Sequence, residues 1–195
     1  MHVAISILLL IALVFGVVYF LPDSCTKGDD GNNNPITDDS FNGTVGVDVT
    51  SGKVKADIVD AADGTTSLVG QKLLFADEVG GGMVLFQPGS IHYTQPFQVK
   101  CTGNLPIYFT MNISRDDSLD MVAFAEAFDF YVVTDPTDLS TGTHIHAFEG
   151  ILPANTASEN FYIVVVMHED AGNEFQDKVF TGIGVQVNAT NAPEE

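Results

Sequence analysis

The sequence predicts an all-β domain, a jelly-roll-like antiparallel β-sandwich with one short helix. Three observations predict it. Short apolar segments, alternating or β-branched, recur along residues 41–192. Turn signals separate them, and no strand–helix–strand rhythm appears. An apolar segment (residues 1–22), predicted helical, and a polar linker (residues 23–40) precede the domain.

The apolar segment comes first. Residues 3–21 hold no charged side chain. That run is long enough to cross a bilayer and somewhat long for the apolar core of a signal peptide. No Lys or Arg precedes it, and the first Lys is Lys27. Val14 and Gly16 allow cleavage after Gly16, although the usual Ala-x-Ala pattern is absent. The segment is read as an export signal or as a retained anchor. In both cases the rest of the chain is expected outside the membrane, secreted or at the cell surface. The only membrane contact expected is through this segment. Residues 23–40 are mostly Asp, Asn, Gly and Thr, too polar to fold alone, and are expected to be a disordered linker.

The domain opens with Val45, Val47 and Val49 alternating with Gly46, Asp48 and Thr50, the pattern of a half-buried strand. Residues 54–59 give a second strand between turn signals at Ser51-Gly52 and Asp63-Gly64. Residues 73–75 and 83–86 flank three consecutive glycines at 80–82. Gln87-Pro88-Gly89-Ser90 is a turn, because Pro fixes φ and Gly tolerates a positive φ. Residues 93–101 form a strand and residues 102–104 turn it. Residues 107–113 follow, with Ile107, Phe109, Met111 and Ile113 on one face and Tyr108, Thr110 and Asn112 on the other.

A helix is expected from Ser118, a suitable N-cap with Asp120 in the first turn. Met121, Phe124, Ala125 and Phe128 fall at helical spacing. Phe128, Phe130 and Val132 then restart a strand, which Pro136 ends. Residues 161–167, rich in β-branched side chains, read as a strand buried on both faces. A polar corner over residues 168–177 leads to a last strand in which Ile183, Val185 and Val187 point one way. Eight or nine strands are expected in all.

The net charge of −19, from 26 acids against seven Lys and Arg, repels phosphate backbones and excludes nucleic acid as a partner. Such a surface attracts divalent cations. Calcium is the cofactor these acids suggest, with Asp116, Asp117, Asp120, Asp135 and Asp138 as candidate ligands, although no EF-hand loop is present. A solvated acidic surface explains the same residues. Cys25 and Cys101 are the only thiols; they either pair as a disulfide or remain two thiols. Asn42, Asn112 and Asn188 each begin an Asn-x-Ser/Thr acceptor pattern.

Four stretches in order resemble the TasA/camelysin family of exported bacterial and archaeal surface proteins. They are TSGKVKAD at 50–57, FQPG at 86–89 followed by FQVKCTGN at 97–104, MHEDAGNEFQ at 167–176, and VNAT at 187–190. Cys101 stands where the family more often has Asn, and Asn191 where it has Gln. The leader also lacks the family's basic residues and Ala-rich cleavage site. The resemblance implies a jelly-roll subunit of an extracellular fibre or biofilm matrix. Its partners would be copies of itself, joined by donating an N-terminal strand, here Val45, Val47 and Val49. The same strand pairing within its own subunit is the competing expectation.

Camelysin is described as a metalloendopeptidase, which makes that activity the alternative. Its candidate metal ligands are His144, His146 and His168, and its candidate catalytic group is Glu169. His144 and His146 are two apart, which on a strand puts both rings on one face. The His-Glu-x-x-His signature of zinc peptidases is absent.

Overall fold

A computed structural model describes residues 43–50, 54–76, 84–114, 127–172, 179–180 and 182–192. The apolar segment, the linker and most of the expected helix lie outside the described residues. Among the described residues thirteen strands run in chain order: β1 (Gly46–Val49), β2 (Ala56–Asp60), β3 (Leu73–Leu74), β4 (Val84–Leu85), β5 (Ile91–Tyr93), β6 (Phe97–Cys101), β7 (Ile107–Ser114), β8 (Phe128–Val133), β9 (Thr143–His144), β10 (Glu149–Leu152), β11 (Tyr162–Met167), β12 (Val179–Phe180) and β13 (Gly182–Asn191).

The strands form an all-β sandwich. One sheet has the order β1-β13-β7-β10, with β3 pairing the start of β13. A second has the order β5-β11-β8-β9, and β2-β6 and β4-β12 form two smaller pairs. The outer edge of β6 runs beside residues 156–161, where Phe97 and Phe161 exchange both backbone hydrogen bonds at 2.9 and 2.8 Å. Pairing is antiparallel except between β1 and β13, which run parallel.

The longest strands follow from their patterns. In β7 the side chains of Ile107, Phe109 and Met111 are buried, while Tyr108 and Thr110 are half-buried and Asn112 is exposed. In β13 Ile183, Val185, Val187 and Ala189 are fully buried. β11 is buried on both faces: Ile163, Val165 and Met167 join the core, and Val164 is fully buried opposite them. Val164 pairs with Tyr93 on one side and Tyr131 on the other, so two tyrosines flank it in register. A line of rings ties the layers together. Phe109 of β7 lies 6.2 Å from Phe148, Phe148 lies 5.2 Å from Phe161, and Phe161 lies 6.1 Å from Phe97 of β6. Offset and edge contacts of this kind stabilise by about 0.5–1.5 kcal/mol per pair beyond area burial.

Several elements differ from the sequence reading. The strand expected over 93–101 is two strands, β5 and β6, because Pro96 lacks an N–H and Thr94 bonds Ile163 through its backbone at 3.0 Å and its hydroxyl at 3.1 Å. Phe128 begins β8 and is not on a helix. The strand count exceeds eight or nine because β3, β4, β9 and β12 have only two residues each.

Candidate functional site

The five-stranded sheet has two unlike edges, β1 and β10. Because β1 is parallel to β13, and β13 and β10 are both antiparallel to β7, the two edge strands run in the same direction. β1 lies level with β13 from Gly46↔Gln186 to Val49↔Ala189. Val45 is buried, and Val47 and Val49 pack against the core from this edge, while Asp48 is exposed. Alternation along an extended chain explains both faces. The backbone of Val45 is clamped by Gln71 (2.6 Å) and Gly70 (2.8 Å), and Thr50 N–H donates to Ala189 at 3.1 Å.

Gly184 sets how close this edge can come. A methyl group there would run into the backbone of Gly43 and Thr44, so only glycine lets the chain enter β1 along this line. Gly150, in β10, has a similar role at the far edge. A methyl group at Gly150 would stand 2.6 Å from the Phe109 ring. The space beyond β10 is a groove of about 560 Å³. Phe109, Phe148, Phe161 and Leu152 line it, with Glu149 and Glu159 among its polar groups. Ile151 of β10 is 61% exposed. Tyr108 donates to Glu149 at 2.5 Å and joins β7 to β10; this bond, then desolvation, holds the phenol above its ordinary pKa.

The histidines fall in two places. His144 ends β9 and His146 sits in the 3-10 turn Ile145–Ala147, so strand alternation is not what aligns them. The strand stops there because pairing with β8 ends at Tyr131↔His144, and Phe148 N–H closes the turn on Ile145. Their rings still approach to 5.4 Å, with Tyr131 4.3 Å from His144. His168 instead bonds Asp129 of β8, Nε2 to Oδ2 at 2.9 Å. Tyr131 is held above its ordinary pKa by desolvation and then by the nearby Asp129 carboxylate. Glu169 is exposed beyond the end of β11. Among the described residues no group of three or more His, Cys, Asp and Glu is placed to hold a metal ion.

Of the calcium candidates, Asp116, Asp117 and Asp120 lie outside the described residues. Asp135 accepts from Thr137 through N–H (2.9 Å) and hydroxyl (2.7 Å), which lowers its pKa. Asp138 caps the turn Leu139–Thr141 by accepting from Ser140 N–H at 2.9 Å. Both carboxylates therefore shape local turns. Cys101 is fully buried, and its thiol bonds the Leu105 carbonyl at 3.2 Å. Cys25 lies outside the described residues.

The motif stretches meet in pairs. FQPG and the 167–176 corner touch where Gly89 N–H donates to Met167 at 3.0 Å and Met167 N–H to Ser90 at 2.9 Å. Gly89 has φ +80°, as the Pro-Gly turn requires. The 50–57 stretch pairs with the 97–104 stretch through β2 and β6, and Thr102 N–H donates to Lys55 at 2.9 Å. Sequence reasoning missed Asp129, Gly184 and the β10 edge. Only Gly184 left a signal, as a small residue inside a strand. No family model, no curated protein and no solved structure matches the chain.

Proposed function

We propose that this protein is an exported structural subunit of an extracellular fibre or matrix, its copies joined by exchange of β1. One observation carries the reading. β1 is the first described strand, an edge strand that packs Val47 and Val49 against the core, with buried Val45 just ahead of it, and among the described strands it pairs with the last, β13. An edge strand is the part of a sheet most readily replaced by an equivalent from another chain. The exchanged pairing has the same register and contacts as the pairing within one chain. It therefore costs little beyond association, and a head-to-tail exchange that does not close gives a filament. The resemblance to TasA/camelysin proteins supports the same conclusion, as does the apolar leader for export.

Negative-stain electron microscopy of the exported chain, beside a chain that begins at Ser51, tests this. Fibres from the first and none from the second are expected. Globular particles from both would overturn the reading.

A further inference from the structure

The outward face of the five-stranded sheet brings two acceptor patterns together. Asn112-Ile-Ser114 lies in β7 and Asn188-Ala-Thr190 in β13. The antiparallel register sets Asn112 against Gln186 and Asn188 against Thr110, so the two asparagines are diagonal neighbours on one face. In a strand, residues two apart point the same way, so each asparagine and its hydroxyl partner face outward together. On the opposite face Met111, Val187 and Ala189 are buried and Ile113 is half-buried. Asn112 is exposed and Asn188 half-buried.

The surroundings suit a bulky polar substituent. Among the described residues the face carries Tyr108, Thr110, Gln186 and Thr190, with Asp48, Glu149 and the exposed Ile151 toward the edges and no Lys or Arg. Among the described residues neither sequon carboxamide is engaged by a hydrogen bond, whereas Asn160, outside any sequon, bonds Gln98 at 2.9 Å.

We propose that this face is a modification site bearing N-linked glycan, at Asn112 first and Asn188 second. The inference rests on the export part of the proposed function. The donor is an oligosaccharide on a polyprenyl phosphate or pyrophosphate carrier. The sugar C1–O bond to the carrier phosphate breaks and an Asn Nδ2–C1 bond forms. Nδ2 gives up one proton, and the carrier phosphate leaves with the bonding pair. Glycan there covers the sheet's polar outer face and leaves the edge of β10 open.

The test is mass spectrometry of the full chain from the cells that make it, after fractionation. Trypsin separates the sites, since residues 101–115 hold Asn112 and residues 179–195 hold Asn188. The expected result is an extracellular protein whose 101–115 peptide carries a hexose-containing mass, with lower occupancy in 179–195. Ser114→Ala removes the first mass and Thr190→Ala the second. An extracellular chain with both peptides unmodified overturns the glycan and leaves the export reading standing. A chain retained inside the cell with both peptides unmodified overturns both.

Discussion

Asp48 stands level with Asn188 in the parallel pair that joins the first described strand of the domain to its last. A parallel pair cannot be closed by a tight turn, so β1 and β13 are held together across the whole of the intervening chain. β1 lies at the edge of its sheet, where the proposed exchange would act. Val47→Asp puts a charge where a half-buried side chain packs against the core. It is expected to loosen β1 at a cost of about 2–3 kcal/mol. Urea unfolding, together with sedimentation of assembled material, measures both consequences.

Two glycines test close approach at the two edges. Gly150→Ala puts a methyl group 2.6 Å from the Phe109 ring, and Gly184→Ala puts one against the backbone entering β1. Each is expected to destabilise by about 1–3 kcal/mol, the range for overpacking. Only Gly184→Ala is expected to reduce assembly, because in the proposed exchange β13 receives β1 from another copy along the line that Gly184 keeps open. Equal assembly by both variants would contradict this.

The Tyr108–Glu149 bond makes the β10 edge sensitive to base. The folded phenol is held above its ordinary value, first by the bond to Glu149. Its contribution is therefore complete below the ordinary phenol pKa of about 10 and is lost as pH rises through the folded value. Urea midpoints for the native chain and Tyr108→Phe are expected to differ at pH 8 and converge in strong base.

Asp63 behaves in the opposite sense. Its carboxylate accepts from Thr65 N–H at 2.8 Å, from Thr66 N–H at 2.8 Å and from the Thr66 hydroxyl at 2.5 Å. These bonds, the Thr66 hydroxyl foremost, hold it well below the usual carboxylate range. The turn's contribution is present above the ordinary value near 4 and is lost as pH falls through the folded value. Asp63→Asn is expected to lower the melting temperature at pH 7 and to make less difference as the solution becomes strongly acidic.

Cys101 reports opening of the core. Its side chain is fully buried beside the Leu105 carbonyl. Alkylation of Cys101 in a Cys25→Ser chain is expected to stay slow in buffer and become rapid above the urea midpoint. Rapid alkylation of the native chain would contradict this burial.

The sandwich was legible where periodicity ran long enough. β7, β11 and β13 each carry six or more residues whose burial repeats the apolar pattern. The short strands were not legible, because their partners lie far along the chain. Leu73 pairs with Ile183, and Val84 with Phe180. The same distance hid the His168–Asp129 bond, which spans 39 residues. Val45, Val47 and Val49 showed their core face in the sequence, but the choice of β13 as their parallel partner depends on Gly184, which periodicity does not weigh.

Cross-linking of the Asp48–Asn188 pair in assembled material tests the account most directly. Copies carrying only Asp48→Cys are mixed with copies carrying only Asn188→Cys, both in a Cys25→Ser background, and then oxidised. Opposed residues on neighbouring strands lie within disulfide reach. Exchange of β1 predicts a disulfide between the two kinds of chain, formed as assembly proceeds. If the mixed copies assemble without this cross-link, while a chain carrying both substitutions closes the disulfide within itself, β1 stays with its own β13 and the account is wrong.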